Sequence, residues 1–388
     1  MSSDSASSGP AILVAPLDWG LGHATRCFPI IRNLLARGHA VHLGGSGASG
    51  RLLRDAFPDL PYHELPGHNV RYARSRRGWL WKIMRQLPQL RHSVRAEHRW
   101  LTAFLRRQPL AAVISDNRYG LYHPQLPCVL ITHQLDIRTP FGAAGNRALR
   151  ALHYRLIERF RSCWVPDGEH FSLAGALSHP SALPAVPTQY IGPLSRFSDS
   201  AEASADGSAS NTPNYKQQTS TYQLVVLLSG PEPQRSIWEA QLLAQLHLVE
   251  GPVLLLRGLP GNSSNNPPAP PQVTVRAHLS AEALEAELRN ARFVVARCGY
   301  STVMDLAALR ARGILVPTPG QTEQEYLARH VTEQGIAPCY RQEDFDLRAA
   351  LAAAETFPYR FPPAGGAGAL DTAIDELEGA IAQEKQRS

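Results

Sequence analysis

No apolar run in this chain approaches the ~20 residues that a membrane-spanning helix needs, so no segment reads as one. The first ten residues, "MSSDSASSGP", lack the basic-then-apolar order of a secretory signal. They read as a disordered leader, 1–10, and the expected location is cytoplasmic. Cysteine is scarce. The five residues Cys27, Cys128, Cys163, Cys298 and Cys339 are scattered, odd in number and free of any CxxC spacing. Neither a disulfide framework nor a zinc site follows from them, and buried reduced thiols are expected. A strand-end D-x-D metal motif is also missing. The one match, Asp344-Phe345-Asp346, lies in the polar "RQEDFDLR" after the last apolar run and reads as the start of a helix. No RRM-, KH- or helix-turn-helix-like signature is present, so no nucleic-acid partner is expected.

What is present suits a two-domain globular protein. The 388 residues are 44% hydrophobic and 19% charged, with a net charge of +6, values normal for a chain with a sizeable core. The positive excess is local. Residues 71–107 hold eleven Lys/Arg against a single acid, Glu97.

Two stretches interrupt the pattern. "SDSAEASADGSASNTPNYKQQTS", 198–220, has almost no large apolar residue and predicts a flexible linker. "GLPGNSSNNPPAPP", 258–271, is too rich in proline for a helix or an inner strand and predicts a surface loop. Short apolar runs alternate with helical patterns on both sides of the linker. Before it stand "AILVAP" (11–16), "AVHLGG" (40–45), "AAVISD" (111–116), "CVLITH" (128–133) and "CWVPD" (163–167). After it stand "QLVVLLSG" (223–230), "VLLLRG" (253–258), "VTVRA" (273–277), "FVVAR" (293–297) and "ILVPTPG" (314–320). Continuous apolar strands separated by helices imply parallel sheets covered on both faces. The expected fold class is α/β, with two facing Rossmann-like domains. Their bounds are 11–197 for an N-terminal domain, 198–222 for the linker, 223–360 for a C-terminal domain, and 361–388 for a tail that ends in a closing helix.

Ligands of open α/β sheets bind beyond the carboxyl ends of strands, and four such junctions carry unusual residues. In "LDWGLGHATR", Gly20 and Gly22 allow a tight turn and close backbone approach, at a helix N-terminus that attracts anions. His23 titrates near neutrality and is either a base at the mouth of a cleft or a cap on the helix. In "LLSGPEPQRS", Ser229, Gly230 and Arg235 form either a phosphate cradle or a plain strand-to-helix turn. In "ARCGYSTVMD", Arg297 ends a strand, Gly299 permits the turn, and Ser301 and Thr302 suit an N-cap. Asp305, one turn inside, has a carboxylate suited to ribose hydroxyls. In "PTPGQTEQEYLA", Gln321, Gln324 and Glu325 offer amides and a carboxylate to a polyhydroxylated ligand, or form a solvated first turn. Together the four junctions describe a nucleotide and a sugar in an interdomain cleft.

These motifs are similar to a known family. "SGPEPQRS", "ARCGYSTVMDLAAL" and "PTPGQTEQEYLA" resemble the C-terminal domain of GT-B glycosyltransferases of the family 28 type, the group that includes the lipid I N-acetylglucosaminyltransferase. "GLGHATR" resembles that group's glycine-rich loop and also the loop of UDP-sugar hydrolases of the pseudaminic-acid pathway. The resemblance implies that His23 lies near the acceptor and the reaction centre. It also implies that Arg196, in "IGPLSRF", reaches the diphosphate and that Ser229 and Gly230 form a second glycine loop. Asp305 stands where the family has a ribose-binding glutamate. Gln324 matches a glutamine that reads sugar hydroxyls, and Glu325 replaces a second one.

The expected activity is hexosyl transfer from a nucleoside diphosphate sugar, UDP-linked by resemblance, to an acceptor hydroxyl, inverting and metal-independent, with no cofactor. His23 or Asp18 accepts the proton, while the second glycine loop, Arg196 and Arg235 neutralise the diphosphate. A nucleotide-sugar hydrolase or epimerase, and a non-catalytic nucleotide-sugar binder, are the alternatives. The 71–107 stretch mixes arginines with Trp79, Leu80, Trp81, Ile83, Met84, Trp100, Leu101 and Phe104. It reads either as a solvated face of cleft-lining helices or as a surface for an anionic membrane. The latter would bring the enzyme, peripheral at the inner face, to a lipid-linked acceptor or cell-envelope glycan.

Overall fold

The computed structural model describes residues 11–18, 20–67, 79–137, 142–197, 221–259, 266–362 and 368–387, with backbone alone for 79–88 and 143. The expected leader, nearly all of the linker, residues 71–78 and 260–265, and the side chains of Trp79, Leu80, Trp81, Ile83 and Met84 lie outside the described residues. The chain divides into two compact units, Met1–Leu194 with Ala364–Ser388, and Ser195–Pro363.

In the first unit, strands of branched apolar residues are buried on both faces, which is why they read as continuous rather than alternating runs. The elements in order are β1 (Ile12–Pro16), α1 (Leu21–Ala36), β2 (Val41–Gly45), α2 (Gly47–Ala56), β3 (Tyr62–Glu64), α3 (Trp79–Leu105), β4 (Ala112–Asp116), β5 (Cys128–Ile131), α4 (Gly142–Ile157), β6 (Ser162–Val165) and β7 (Thr188–Tyr190). The seven strands form one parallel sheet in the order β3-β2-β1-β4-β5-β6-β7. Leu101 and Phe104 of α3, Ile157 at the end of α4, and Phe160 pack on Leu13, Val113, Leu130 and Val165. Each such side chain contributes roughly 1.5–3 kcal/mol of burial. β1 and β4 are neighbours with Pro16 in register with Asp116, and the chain leaves β1 for β2 on its other side. The order of strands therefore reverses at the β1/β4 boundary.

The second unit repeats the scheme with β8 (Tyr222–Leu227), α5 (Gln234–Leu243), β9 (Val253–Leu256), β10 (Val273–Arg276), α6 (Ala281–Arg289), β11 (Ala291–Arg297), α7 (Tyr300–Leu309), β12 (Gly313–Val316), α8 (Thr322–Glu333) and α9 (Leu347–Thr356). Its parallel sheet has the order β10-β9-β8-β11-β12. Trp238 and Leu242 of α5 pack with Leu224, Val226, Phe293 and Val295. Ser280 caps α6, and Asp346 of the Asp-Phe-Asp triplet caps α9 while Phe345 enters the core.

The last helix, α10 (Ala369–Arg387), buries Ala373, Ile374, Leu377, Ala380 and Ile381. It belongs to the first unit rather than standing as a separate tail. Asp371 accepts from Asn33 at 2.8 Å and pairs with Arg37 at 3.0 Å, and Glu378 reaches His39 at 2.7 Å.

All ten apolar runs contain strands. β3 and β7, three residues each, were not among them because neither carries a continuous apolar run. Among the described residues no helix is long and apolar enough to cross a membrane. The five cysteines are free thiols, four of them buried. Burial pushes the Cys128 and Cys163 thiols up to about 12.

Candidate functional site

The β1/β4 reversal sets the first cluster. Beyond β1 the chain turns through Gly20, whose φ of 92° is open to glycine and strained for other residues. α1 then begins, with His23 and Arg26 on its first turns. Three residues apart, they share a face of the helix, and that face meets the end of β4. His23 Nδ1 lies 3.2 Å from Asp116 Oδ2. The Arg26 guanidinium donates to both oxygens of Asp116, through Nε at 2.6 Å and through Nη2 to Oδ1. Arg26 Nη2 is also 2.7 Å from His23 Nδ1, and Nη1 is 3.2 Å from His133 Nδ1 beyond β5.

Asp116 is fully buried. Burial alone would raise its pKa, but Arg26 and His23 outweigh burial and hold it at about 2. His23 is lowered from its ordinary value, first by burial and then by the Arg26 charge, against the opposing pull of Asp116. Its side chain remains 18% exposed. At neutral pH the cluster is a neutral imidazole held beside a carboxylate.

Asp18 sits on the same edge in a different network. Its Oδ2 accepts from Ser46 Oγ at 2.9 Å, and Arg118 Nη2 donates to that hydroxyl at 3.1 Å. Arg118 also donates to the Pro16 carbonyl at 2.7 Å and to Glu97 Oε1 at 2.9 Å. Glu97 Oε2 takes the Gly120 amide at 3.0 Å. Glu97 and Arg118 are both fully buried. A Cβ on Gly120 would come within 2.3 Å of the Val94 carbonyl oxygen, so α3 and this loop approach more closely than any side chain allows. Asp18 is therefore braced by a buried ion pair, whereas the carboxylate that touches His23 is Asp116.

The second unit places its three junctions at the carboxyl ends of β8, β11 and β12. Ser229 and Gly230 are exposed beyond β8, with Gly230 at φ 105°. Gly299 caps α7 at φ −86°, an ordinary conformation, so the turn itself does not demand glycine. Ser301 and Thr302 lie inside the first turn of α7 rather than at its cap, because the helix starts at Tyr300. The Gln324 amide nitrogen stands 4.0 Å, and Thr302 Oγ1 3.9 Å, from where a Gly299 Cβ would be. Gln321 is the uncapped N-cap position of α8. Gln324 Oε1 accepts from the Thr318 amide at 2.8 Å, and Glu325 Oε1 accepts from the Gly320 amide at 3.1 Å. Both thus brace their own turn, and Gln324 keeps its NH₂ group beside Gly299.

Three of the expected site residues make other contacts within the second unit. Arg235 is 5% exposed and paired with Glu232 at 2.6 Å and Glu239 at 3.1 Å, because Glu232 just before α5 and Glu239 within it stand at i−3 and i+4. Arg297 is 1% exposed. It donates to Gln342 Oε1 at 2.8 Å and to the Gln234 carbonyl at 3.2 Å, and lies 5.0 Å above the Trp238 ring. Burial lowers it to about 10, still cationic at neutral pH, but it points into the unit. Asp305 is 4% exposed and closes on Arg196, with Oδ2 accepting from Nε at 3.0 Å and Nη2 at 2.8 Å, while Ser195 Oγ donates to Oδ1 at 2.8 Å. The two residues expected on ribose and diphosphate are each other's partners. The clamp lies wholly within the second unit, which begins at Ser195.

Sequence reasoning missed Asp116, Arg26 and His133. The signal for two of them was present as polar residues ending the runs "AVISD" and "VLITH", on strands that the fold brings next to each other.

Residues 276–359 match the family model described as the glycosyltransferase family 28 C-terminal domain. No curated protein sequence matches the chain. Among solved structures, the glycosyltransferase of kitacinnamycin covers 98% of this chain and 95% of its own at 15% identity and TM-score 0.60. CalG4, the calicheamicin glycosyltransferase, covers 97% and 94% at 15% identity and TM-score 0.58. SnogD from Streptomyces nogalater covers 95% and 98% at 15% identity and TM-score 0.56. The two parallel-sheet α/β units share the GT-B fold of these solved structures. The stretch that matches the family 28 C-terminal model, 276–359, lies within the second unit.

Proposed function

We propose that the protein transfers a hexose-type sugar from a nucleoside diphosphate donor, UDP-linked, to an acceptor hydroxyl, with inversion and without a resident metal. The observation that carries this reading is the His23–Asp116 pair at the carboxyl edge of the first sheet. In the tautomer with Nδ1–H toward Asp116, in which Arg26 Nη2, a donor only, gives up its 2.7 Å contact with Nδ1, Nε2 keeps the lone pair that removes the acceptor's proton. The buried carboxylate then stabilises the imidazolium that forms. The hydroxyl oxygen attacks the anomeric carbon, and the bond to the diphosphate oxygen breaks.

The departing diphosphate needs positive potential. The N-terminus of α7 and the Ser229–Gly230 turn before α5 supply it through backbone amides and a hydroxyl. Arg235 and Arg297 stay out of this role, because their guanidinium groups are already committed. The Gln324 amide beside Gly299 suits a sugar hydroxyl. A solved relative of the fold, the spinosyn rhamnosyltransferase SpnG, is complexed with thymidine diphosphate, which supports the nucleoside diphosphate class and puts TDP-sugars beside UDP-sugars in the test.

Thermal-shift and calorimetric titration with a panel of nucleotide sugars tests the reading. Binding of one UDP- or TDP-sugar, with none of nicotinamide dinucleotides, is expected. Rapid release of free sugar in the absence of any acceptor would assign the chain to the hydrolases instead.

A further inference from the structure

Glu97, the single acid of the 71–107 stretch, is fully buried, whereas Arg95 and Arg99 are exposed. Glu97 spends both oxygens on Arg118 and the Gly120 amide, inside the unit. The opposite face of α3 is left with no counter-charge of its own. There His92, Arg95, His98 and Arg99 line an open groove of about 640 Å³, completed by Tyr122 from the loop after β4 and Arg159 after α4.

Its walls are organised. His98 Nδ1 donates to the Tyr122 carbonyl at 3.1 Å, and the two rings stack with centroids 4.4 Å apart at 16°. The Arg159 guanidinium lies 5.3 Å from the same Tyr122 ring. Tyr122 packs edge-on against Phe160, which is buried. One aromatic side chain thus holds a histidine from α3 and an arginine from beyond α4 on a common floor. Among the described residues none of Arg95, Arg99 and Arg159 pairs with a carboxylate, and no acid lines the groove. Arg95 and Arg99 are also an i, i+4 pair of like charge, which destabilises a helix unless an anion sits between them.

We propose that this groove binds phosphate groups that together carry at least two negative charges, on one ligand or on neighbouring lipid headgroups. Guanidinium forks match phosphate oxygens two at a time, and three forks drawn from two elements fit a pyrophosphate-sized group better than one carboxylate. The groove shares no residue with the His23–Asp116 cluster or with the junctions of the second unit, and it stands independently of the proposed transfer reaction. The phosphates come either from a soluble ligand or from anionic lipid headgroups, and the experiment separates the two.

Pyrophosphate is titrated calorimetrically into the full chain, with saturating UDP present to occupy any nucleotide site. In parallel, co-sedimentation is measured with phosphatidylglycerol–phosphatidylcholine vesicles and with phosphatidylcholine vesicles alone. The double variant Arg95→Gln/Arg159→Gln is compared with Arg106→Gln/Arg107→Gln, exposed positions outside the groove, and circular dichroism checks that both remain folded. Pyrophosphate binding that weakens at least tenfold only in the groove variant assigns a soluble ligand. Vesicle binding that needs phosphatidylglycerol and falls at least tenfold only in the groove variant, without pyrophosphate heat, assigns a headgroup. No binding of either probe, or binding equally sensitive to both variants, overturns the proposal.

Discussion

Asp116 Oδ2 lies 3.2 Å from His23 Nδ1, although 93 positions separate the two residues in the chain. Parallel pairing of β1 with β4 brings them together, and Arg26 fixes the carboxylate from its other side. A base assembled in this way makes distinct demands on each partner.

His23→Ala is expected to lower kcat by about 10²–10⁴-fold, the usual contribution of a positioned general base, while leaving donor affinity unchanged. Asp116→Asn is expected to fall in the same range, because the amide no longer favours the tautomer with a free Nε2. Steady-state kinetics with a calorimetric donor Kd check both. A transferase rate unaffected by His23→Ala would remove the base from the scheme.

Activity should fall on the acid side with an apparent pKa below 6.5, since burial and Arg26 both lower His23. The sign for stability follows. In the window between that lowered value and ~6.5, where histidine titrates in an unfolded chain, the unfolded chain binds the extra proton, so stability decreases as pH drops. Asp116, held at about 2 against ~3.9 when unfolded, contributes stability above pH ~4 that is lost as pH falls towards 2. Asp116→Asn removes the influence that raises His23 and should move its titration further down. Nitrogen-15 NMR of the histidine ring reports both the tautomer and the direction of that shift.

Chelation offers a separate check on the diphosphate. With helix N-termini and a hydroxyl as its neutralising groups, the rate should be unchanged after dialysis against EDTA and after added magnesium. A rate that disappears with EDTA and returns with a divalent ion would contradict the proposed source of charge stabilisation.

Glu97 and Arg118 form a fully buried ion pair in the first unit. Glu97→Gln leaves a buried guanidinium without its counter-charge and should cost about 3–5 kcal/mol, read from urea denaturation. Ser46→Ala removes only the hydroxyl between Arg118 and Asp18. It should change stability by roughly 0.5–1.5 kcal/mol and report through kinetics whether the brace on Asp18 matters.

The Arg196–Asp305 clamp predicts a local effect. Asp305→Asn should speed amide exchange at Phe197, whose N–H is held 3.1 Å from Ser195 Oγ, and leave nucleoside diphosphate affinity within about twofold. A large loss of affinity with unchanged exchange would return Asp305 to the ribose-binding role that its position in "YSTVMD" suggests.

Local sequence determined the strand and helix grammar of both sheets. It placed glycines where turns follow β1 and β8, and put His23 at a helix start beyond the first strand. These features depend on side-chain branching, apolar continuity and backbone freedom within a few residues, so they can be read without knowing neighbours in space. Tertiary structure alone decided which carboxylate serves His23, that Glu97 leaves its arginine-rich surroundings for Arg118, and that Asp305 meets Arg196. It also decided that Arg235 and Arg297 turn inward rather than toward a ligand. An arginine carries the same charge on a cleft wall or above a buried tryptophan; only the packing of distant segments fixes which acceptors it meets and how much water it loses.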